Sequence, residues 1–314
     1  MAGYAELRRP IISEVPPGSG GSMKLTRWFM LAGGAALFLA PAAYADTIVY
    51  ANSAGGDGIQ IFSINVAAGT ETLIGSISQG GTGLTSGNGR GVVTVGNTLY
   101  YTNADSPNVY SYNLLTHTNN GIVFTVAGSS GLATMAWDGS SFWLGDYSGT
   151  NNAYHYSITG TLLGTAPLSK CAEVHQGGIK GFCDGLEFAN GHLVSNEGDG
   201  GFGGPSQYDV YDLSGGSPVQ AGLITTTYGA TGIAFDGTYY FVSDIQNDRL
   251  GVYDASGAFV KFIALADGHH TRAIEDLSVD YNLVLNTAPE PSTLVLLATG
   301  MLGVLGVAHR RRRA

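Results

Sequence analysis

Four acidic residues have the types and spacing most suited to chemistry in this chain. Asp184 and Glu187 are three positions apart, and Glu275 and Asp276 are adjacent. Carboxylate oxygens are the ligands that hard cations such as Ca²⁺ prefer. The four residues form a candidate Ca²⁺ site if the fold brings them together, and otherwise they are solvated side chains on an acidic protein.

Histidines and further charged residues form a second candidate group. A histidine next to a carboxylate can act as a general acid or base. The chain, however, contains no serine nucleophile elbow, HExxH helix or Cys–His arrangement. These residues therefore predict a binding face rather than a catalytic centre: His175, Glu197, Asp199, His269, His270 and Arg272.

A repeat of short strands organises the part of the chain that must position these residues. Large apolar residues occupy the third and fifth positions of each first strand, which is the alternation of a β-strand. The last residues of successive first strands are 42 to 51 residues apart, the spacing of β-propeller blades. The first strands are predicted at 91–95, 133–137, 184–188, 231–235 and 275–279.

The repeat predicts an all-β protein, a β-propeller of five blades. Three further strand candidates follow most first strands, and no long stretch shows helical periodicity. Residues 48–77 match the second to fourth strands of a blade, and 275–279 match a first strand alone. Joining the two ends closes a ring of five blades. Six blades, or a β-sandwich, are the alternatives.

In this architecture the candidate residues gather on one face. Connections between second and third strands and connections between blades share that face, where the first strands begin. Two unusually long connections, 167–183 and 196–207, belong to it and flank the fourth blade. Long loops in a compact domain often carry function, so the mouth of the central channel on this face is the candidate binding surface. Drift in a tolerant surface loop is the alternative.

Charge and cysteine content limit the partners and the compartment. Six basic and 21 acidic residues lie between Asp46 and Ala288, a net charge of about −15. Such a surface repels nucleic acid and anionic lipid but is compatible with divalent cations or neutral glycans. Cys171 and Cys183 are twelve positions apart, and in an oxidising compartment they are expected to form a disulfide.

The C-terminus carries a sorting signal. Pro289-Glu290-Pro291 precedes an apolar run from Leu294 to Ala308, and a basic cluster follows: Arg310, Arg311, Arg312 and Arg313. The arrangement resembles the PEP-CTERM sorting signal of Gram-negative bacteria. That resemblance implies a transient hold in the inner membrane, cleavage by an exosortase-type enzyme and delivery to the cell surface. An ordinary C-terminal anchor is the alternative.

The N-terminus predicts export as well. A basic segment begins at Met23, an apolar segment follows, and Ala43 and Ala45 form a small-x-small cleavage site. The chain therefore divides into a mis-called start or extension (1–22), a signal peptide (23–45), the propeller (46–288) and the sorting segment (289–314). The two terminal segments are expected to be helical.

The repeats themselves have a looser resemblance. Gly232 to Gly237 and Met135 to Gly139 resemble NHL and gluconolactonase-like propellers, and the second group implies a central divalent metal. Two functions follow. The first is a non-enzymatic surface protein that binds exopolysaccharide or matrix, and the second is a secreted metal-dependent lactonase.

Overall fold

The computed structural model describes residues 46–78, 81, 83, 88–147, 150–172, 184–196, 205–265 and 273–281. Within these ranges the chain is built almost entirely from β-strands, with one 3₁₀ helix at Ser169–Ala172. None of the helices in the described ranges is long and apolar enough to span a membrane. The predicted signal helix and C-terminal helix lie outside the described residues.

Five antiparallel sheets of four strands form the fold, and we number them as blades 1 to 5. Blade 1 contains β20 (Ile274–Val279), β1 (Thr47–Ser53), β2 (Ile59–Asn65) and β3 (Thr70–Ile77). Blade 2 contains β4 (Gly89–Val95), β5 (Thr98–Asn103), β6 (Ser106–Asn113) and β7 (Thr118–Thr125). Blade 3 contains β8 (Leu132–Trp137), β9 (Ser141–Asp146), β10 (Asn152–Ser157) and β11 (Leu162–Pro167). Blade 4 contains β12 (Leu186–Ala189), β13 (His192–Asn196), β14 (Gln207–Tyr211) and β15 (Gln220–Thr225). Blade 5 contains β16 (Ala230–Phe235), β17 (Tyr239–Asp244), β18 (Arg249–Asp254) and β19 (Phe259–Ala264).

The ring closes as the sequence predicts, and the five-bladed propeller is confirmed. Strand β20, the last in the chain, pairs with β1 in antiparallel register, with Val49 opposite Val279 and Ala51 opposite Leu277. The N-terminal strands β1 to β3 therefore obtain their innermost partner from the C-terminal end of the domain. This pairing removes the free edge that either end would otherwise present.

Apolar clusters between neighbouring blades hold the ring together. Between blades 5 and 1, for example, Phe241 and Leu250 pack with Val49 and Phe62. Comparable clusters among the described residues fill the other inter-blade spaces. All six residues of β8 and of β9 are buried, because a strand near the axis has a blade on each side. The outermost strands expose most of their residues.

Bulges shape the starts of the first strands. In β4 the register shifts between Gly89 and Val92, and in β16 it shifts between Ala230 and Ile233. A bulge leaves a backbone N–H without its ladder partner. Hydroxyls of the second strand accept these bonds, for example from Gly91 to Thr102 Oγ1 at 2.8 Å and from Gly232 to Ser243 Oγ at 2.9 Å.

Two glycines allow the first strands to meet near the axis. A Cβ on Gly185 would lie 1.9 Å from the carbonyl oxygen of Thr231 in the next blade. A Cβ on Gly232 would lie 2.7 Å from Cα of Asp276. Any side chain at these positions would collide with the backbone of a neighbouring blade, so the narrow axis of this propeller requires glycine there.

Candidate functional site: two ends of the propeller axis

The two faces of the ring differ in their connections. The first strands begin, and the second strands end, on what we call the mouth face. The first strands end in tight turns to the second strands on the opposite face, which we call the hairpin face. Both long connections that the sequence analysis singled out leave from described strand ends on the mouth face, after β11 and β13 and before β12 and β14.

A buried ion pair lies at the mouth. Arg90 Nη1 is 2.5 Å from Glu275 Oε2, and the side chains are only 6% and 3% exposed. Both residues occupy bulges, because Ile274 and Asp276 have ladder partners on β1 while Glu275 has none, and Arg90 lies within the β4 bulge. Bulges re-aim side chains, and here they turn two opposite charges towards each other across neighbouring blades.

Two further residues complete the mouth cluster. Arg90 Nη2 donates to Tyr147 Oη at 3.1 Å, and the guanidinium lies 4.5 Å from the centre of the Tyr147 ring. This is cation–π geometry. Asp184 contributes a second carboxylate, whose Oδ1 is buried and has no hydrogen-bond partner among the residues that the structure describes. The cluster thus contains one cation and two carboxyl groups.

Burial and charge perturb these groups in opposite senses. Burial raises the pKa of Glu275 to about 8, with Arg90 opposing the shift and Asp184 adding to it. Burial also raises the pKa of Asp184, again against the attraction of Arg90. Burial alone would lower the pKa of Arg90, but Glu275 and Asp184 outweigh it and raise that pKa. The guanidinium therefore stays charged, and the carboxyls compete for it.

Asp276 lies deeper on the axis and binds backbone rather than a cation. Its Oδ2 accepts hydrogen bonds from the amides of Val92 and Met135, each at 3.1 Å. These amides belong to β4 and β8, in two different blades, so one carboxyl joins three first strands. The side chain is fully buried, and burial raises its pKa well above the ordinary value, with the two amides opposing the shift.

Glu187 occupies the hairpin end of the axis. It accepts hydrogen bonds from the amides of Phe188 at 2.6 Å and Phe235 at 2.8 Å. Tyr281 Oη donates to both of its oxygens, at 2.8 and 2.9 Å. Glu187 is buried, and burial raises its pKa to about 8, against the effect of these donors. Tyr281 follows the end of β20 by two residues, so Glu187 holds this part of the chain at the axis.

The four predicted carboxyl groups are therefore all placed at the axis but are distributed along it. Asp184 and Glu275 flank Arg90, Asp276 joins strands, and Glu187 binds Tyr281. In the part of the chain that the structure describes, no group of three or more His, Cys, Asp or Glu side chains is arranged to hold a metal ion. Calcium binding at these residues stays a prediction, and Arg90 is the cation that Glu275 contacts.

The predicted binding-face residues lie outside the described residues, as do the sorting and signal-cleavage residues. These are His175, Glu197, Asp199, His269, His270 and Arg272, then Pro289, Glu290, Pro291 and Arg310 to Arg313, and Ala43 and Ala45. Cys171 is buried, with Sγ 3.7 Å from Ser195 Oγ. Its predicted disulfide partner Cys183 is outside the described ranges, so the pairing stays a prediction.

One cluster in blade 3 contains the residue types of a nucleophilic triad without its geometry. Ser141 Oγ is 2.6 Å from His155 Nε2, and Asp138 Oδ2 is 3.2 Å from the same nitrogen. A triad places the carboxylate on the other ring nitrogen. Asp138 also accepts from Ser141 and Trp143, and the His155 ring stacks on Trp143 at 4.1 Å. The cluster stabilises the turn between β8 and β9.

Sequence reasoning did not single out Arg90, Tyr147 or Tyr281. One signal was present for Arg90: it is among only six basic residues between Asp46 and Ala288 and directly precedes a predicted first strand. Tyr281 likewise follows the last first strand by two positions. Their partners, however, come from other blades, so only the closed ring shows what they contact.

The chain is similar to known proteins in its C-terminal segment and in its fold. Residues 287–313 match the model of the PEP-CTERM protein-sorting motif. No curated protein matches the chain.

Among solved structures, a nidogen–laminin complex is similar at 9% identity and a TM-score of 0.47, covering 74% of this chain and 98% of that one. Glutaminyl cyclase of Myxococcus xanthus is similar at 13% identity and a TM-score of 0.41, over 64% and 75% of the two chains. The computationally designed protein Ika4 is similar at 15% identity and a TM-score of 0.32, over 57% and 91%. At these values the likenesses carry no argument about a ligand or an activity.

The sorting motif does carry an argument, which concerns export and processing. It marks proteins that are exported and processed at their C-terminus, and it implies processing by an exosortase. The chain is therefore a five-bladed β-propeller with a PEP-CTERM sorting motif, delivered to the cell surface or the extracellular space of a Gram-negative bacterium.

Proposed function

We propose that this protein is a non-enzymatic binding module that attaches to extracellular polysaccharide through the mouth face of its propeller. In this proposal residues 23–45 direct export, and the apolar run 294–308 holds the chain in the inner membrane until the exosortase acts. The delivered propeller then binds neutral glycan outside the cell. Its net charge of about −15 between Asp46 and Ala288 favours neutral over anionic polymers.

The mouth cluster is the observation that carries the proposal. Tyr147 is partly exposed, while Arg90 fixes its orientation through a hydrogen bond and a ring contact. An aromatic ring held in one orientation can contact a sugar at low entropic cost. Asp184 is partly exposed as a residue, and a glycan hydroxyl can donate to its carboxyl group. Phenol and carboxyl groups side by side suit a polyhydroxylated ligand.

Binding is tested with the exported protein and the polysaccharide of the cells that produce it. We expect co-sedimentation with the purified polymer, and we expect Tyr147→Phe and Asp184→Asn to weaken it by about threefold to tenfold, the effect of losing one polar contact. Tyr239→Phe is the matched control, because Tyr239 is a partly buried tyrosine on the hairpin face. Equal binding by all three variants would exclude the mouth face as the binding surface.

The metal-dependent hydrolase remains the second candidate function, and one atom favours it. Oδ1 of Asp184 has no hydrogen-bond partner within the described ranges and is near Glu275, and two carboxyl groups are the start of a Ca²⁺ site. Calorimetric titration with Ca²⁺, before and after chelation, separates the two functions. Saturable binding that Asp184→Asn abolishes would favour the hydrolase, whereas the absence of binding heat would leave the glycan-binding function.

A further inference from the structure

Both ends of the propeller domain leave from the hairpin face. Thr47 begins β1 opposite Ile64 at the end of β2, and the Asp46 side chain accepts hydrogen bonds from Ser63 and Asn65. At the other end β20 runs from the mouth to the hairpin face, and the chain reaches Tyr281 two residues later. The mouth cluster of Arg90 and Glu275 is at the opposite end of the same axis.

The exit point of the C-terminal end is fixed on the axis and not at the rim. Tyr281 Oη binds both oxygens of Glu187. The phenol ring of Tyr281 packs against two of the buried inter-blade clusters, one between blades 5 and 1 and the other between blades 2 and 3. Asp280 adds a hydrogen bond from its amide to the carbonyl of Ile48. Any segment that follows residue 281 therefore starts from the centre of the hairpin face.

We propose that, while its sorting segment is held in the membrane, the protein presents the mouth face away from the membrane because the Glu187–Tyr281 contact fixes the start of the tail on the axis of the opposite face. This inference rests on the proposed function, in which residues 294–308 are membrane-held, and extends it to the orientation of the binding surface. The exported propeller is then able to engage polysaccharide before the tail is cut.

The length of the connecting chain supports this orientation. Residues 282–293 are twelve residues, and twelve extended residues span at most about 40 Å. To turn the mouth face towards the membrane, the chain must run from the axis to the rim and then along the blade. Strand spacings of about 4.8 Å and a rise of about 3.3 Å per residue make that path about 40 Å. Even fully extended, residues 282–293 are no longer than this path.

Energy transfer to the membrane tests the orientation. The chain without residues 1–45, as it is after the proposed signal cleavage, is placed in lipid vesicles that contain an acceptor-labelled headgroup, with one donor dye at position 97 or 105. Asn97 is exposed on the hairpin face and Asp105 is exposed on the mouth face of the same blade, at the two ends of β5. We expect a transfer rate roughly twofold or more higher from position 97, because the faces are about 20 Å apart.

Two variants identify the cause of the difference. Inserting a Gly/Ser segment of about 20 residues after position 285 should bring the two rates together, because a flexible tether of that length reaches round the domain. Tyr281→Ala, which removes the ring packing as well as the hydroxyl, should reduce the difference while the domain stays folded, and Tyr239→Ala, on the same face, should not. A difference that survives the longer tether would show that the tail does not set the orientation.

The other outcomes separate this inference from the proposed function. Equal rates from positions 97 and 105 in the unmodified chain, or a higher rate from 105, would overturn the orientation and leave the membrane hold intact. Transfer no greater than that of a chain lacking residues 289–314 would overturn the membrane hold, and the orientation with it.

Discussion

The two ends of the propeller axis stabilise their buried carboxyl groups in different ways. Each places carboxyl groups where water has little access. At the mouth, Arg90 compensates Glu275 with a full opposite charge at 2.5 Å. At the hairpin end, Glu187 is surrounded by neutral donors, two backbone amides and the Tyr281 hydroxyl. Stabilisation of Glu275 therefore depends on one cationic side chain, whereas stabilisation of Glu187 is divided among several weaker hydrogen-bond donors.

The difference matters because the two ends have different tasks in our proposals. The mouth is expected to meet a ligand, and a charged, partly unsatisfied cluster leaves hydrogen-bonding capacity for it. The hairpin end joins the domain to its tail, and a saturated set of hydrogen bonds holds that junction in place. Saturation is typical of structural contacts, and unsatisfied buried groups are typical of functional ones.

The largest expected effect concerns pH, and it involves both ends. Burial raises the pKa of Glu187 and of Glu275 from 4.5 to about 8. Because the folded-state pKa is above the unfolded value, the stabilising contribution is complete below pH 4.5 and is lost as the pH rises through about 8. We expect the free energy of unfolding to fall over this window by on the order of 5 kcal/mol for each of the two carboxyls, measured by urea denaturation.

Single substitutions then show which end dominates the pH dependence. Glu187→Gln and Glu275→Gln each remove one titrating carboxyl, so each should flatten the pH profile. No cation of the described residues lies beside Glu187, and its substitution should leave the mouth contribution intact. A urea midpoint that stays constant between pH 4.5 and pH 8 in the unmodified protein would contradict the whole account.

The second prediction tests the dependence of the mouth on its cation. Arg90→Met leaves Glu275 and Asp184 buried without their partner, and breaking a buried pair on one side costs about 3–5 kcal/mol. The double variant Arg90→Met/Glu275→Met should recover most of that loss, because no unpaired Glu275 charge remains. Urea unfolding at pH 9, above the pKa of about 8 of Glu275, measures both. A double variant as unstable as the single one would show that packing, and not charge, stabilises the mouth.

The sequence predicted the strands and the closure but not this division of roles. Alternation of apolar residues specifies strands locally, and a period of 42 to 51 residues specifies blades. Strands and blades could therefore both be predicted from the sequence. The positions of Asp184, Glu187, Glu275 and Asp276 in the repeat also placed them at the axis. Their partners were not readable, because bulges in the first strands decide which way Arg90 and Glu275 point.

Tyr281 illustrates the same limit. Nothing in its neighbourhood in the sequence indicates a partner, since Glu187 is 94 residues away. Only the ring geometry, in which the end of β20 lies next to β12 across the axis, brings the phenol to the carboxyl. Contacts of this kind depend on tertiary closure and not on local pattern.

The third prediction concerns the hairpin end. Tyr281→Phe removes one hydroxyl that donates to both oxygens of Glu187, while the amides of Phe188 and Phe235 remain. We expect a loss of about 1 kcal/mol, the net worth of a single hydrogen bond, as a small fall in the melting temperature. A loss as large as that of Arg90→Met would mean that Tyr281 alone stabilises the Glu187 carboxyl, and that the two backbone amides contribute little.

The smallest stability effect should come from Tyr147 at the mouth, and it sharpens the comparison most. Tyr147→Phe removes an oxygen that accepts one hydrogen bond from Arg90 but keeps the ring that the guanidinium contacts. Because Tyr147 is partly exposed, water can replace the hydroxyl as a partner of Arg90, so the free energy of unfolding should change by about 0.5 kcal/mol or less. Polysaccharide binding should fall nonetheless, since the hydroxyl also serves the ligand. The hairpin-end variant Tyr281→Phe should show the reverse, a loss of stability with unchanged binding. If both substitutions moved stability and binding together, the two ends would not be separable into a contact surface and a structural junction.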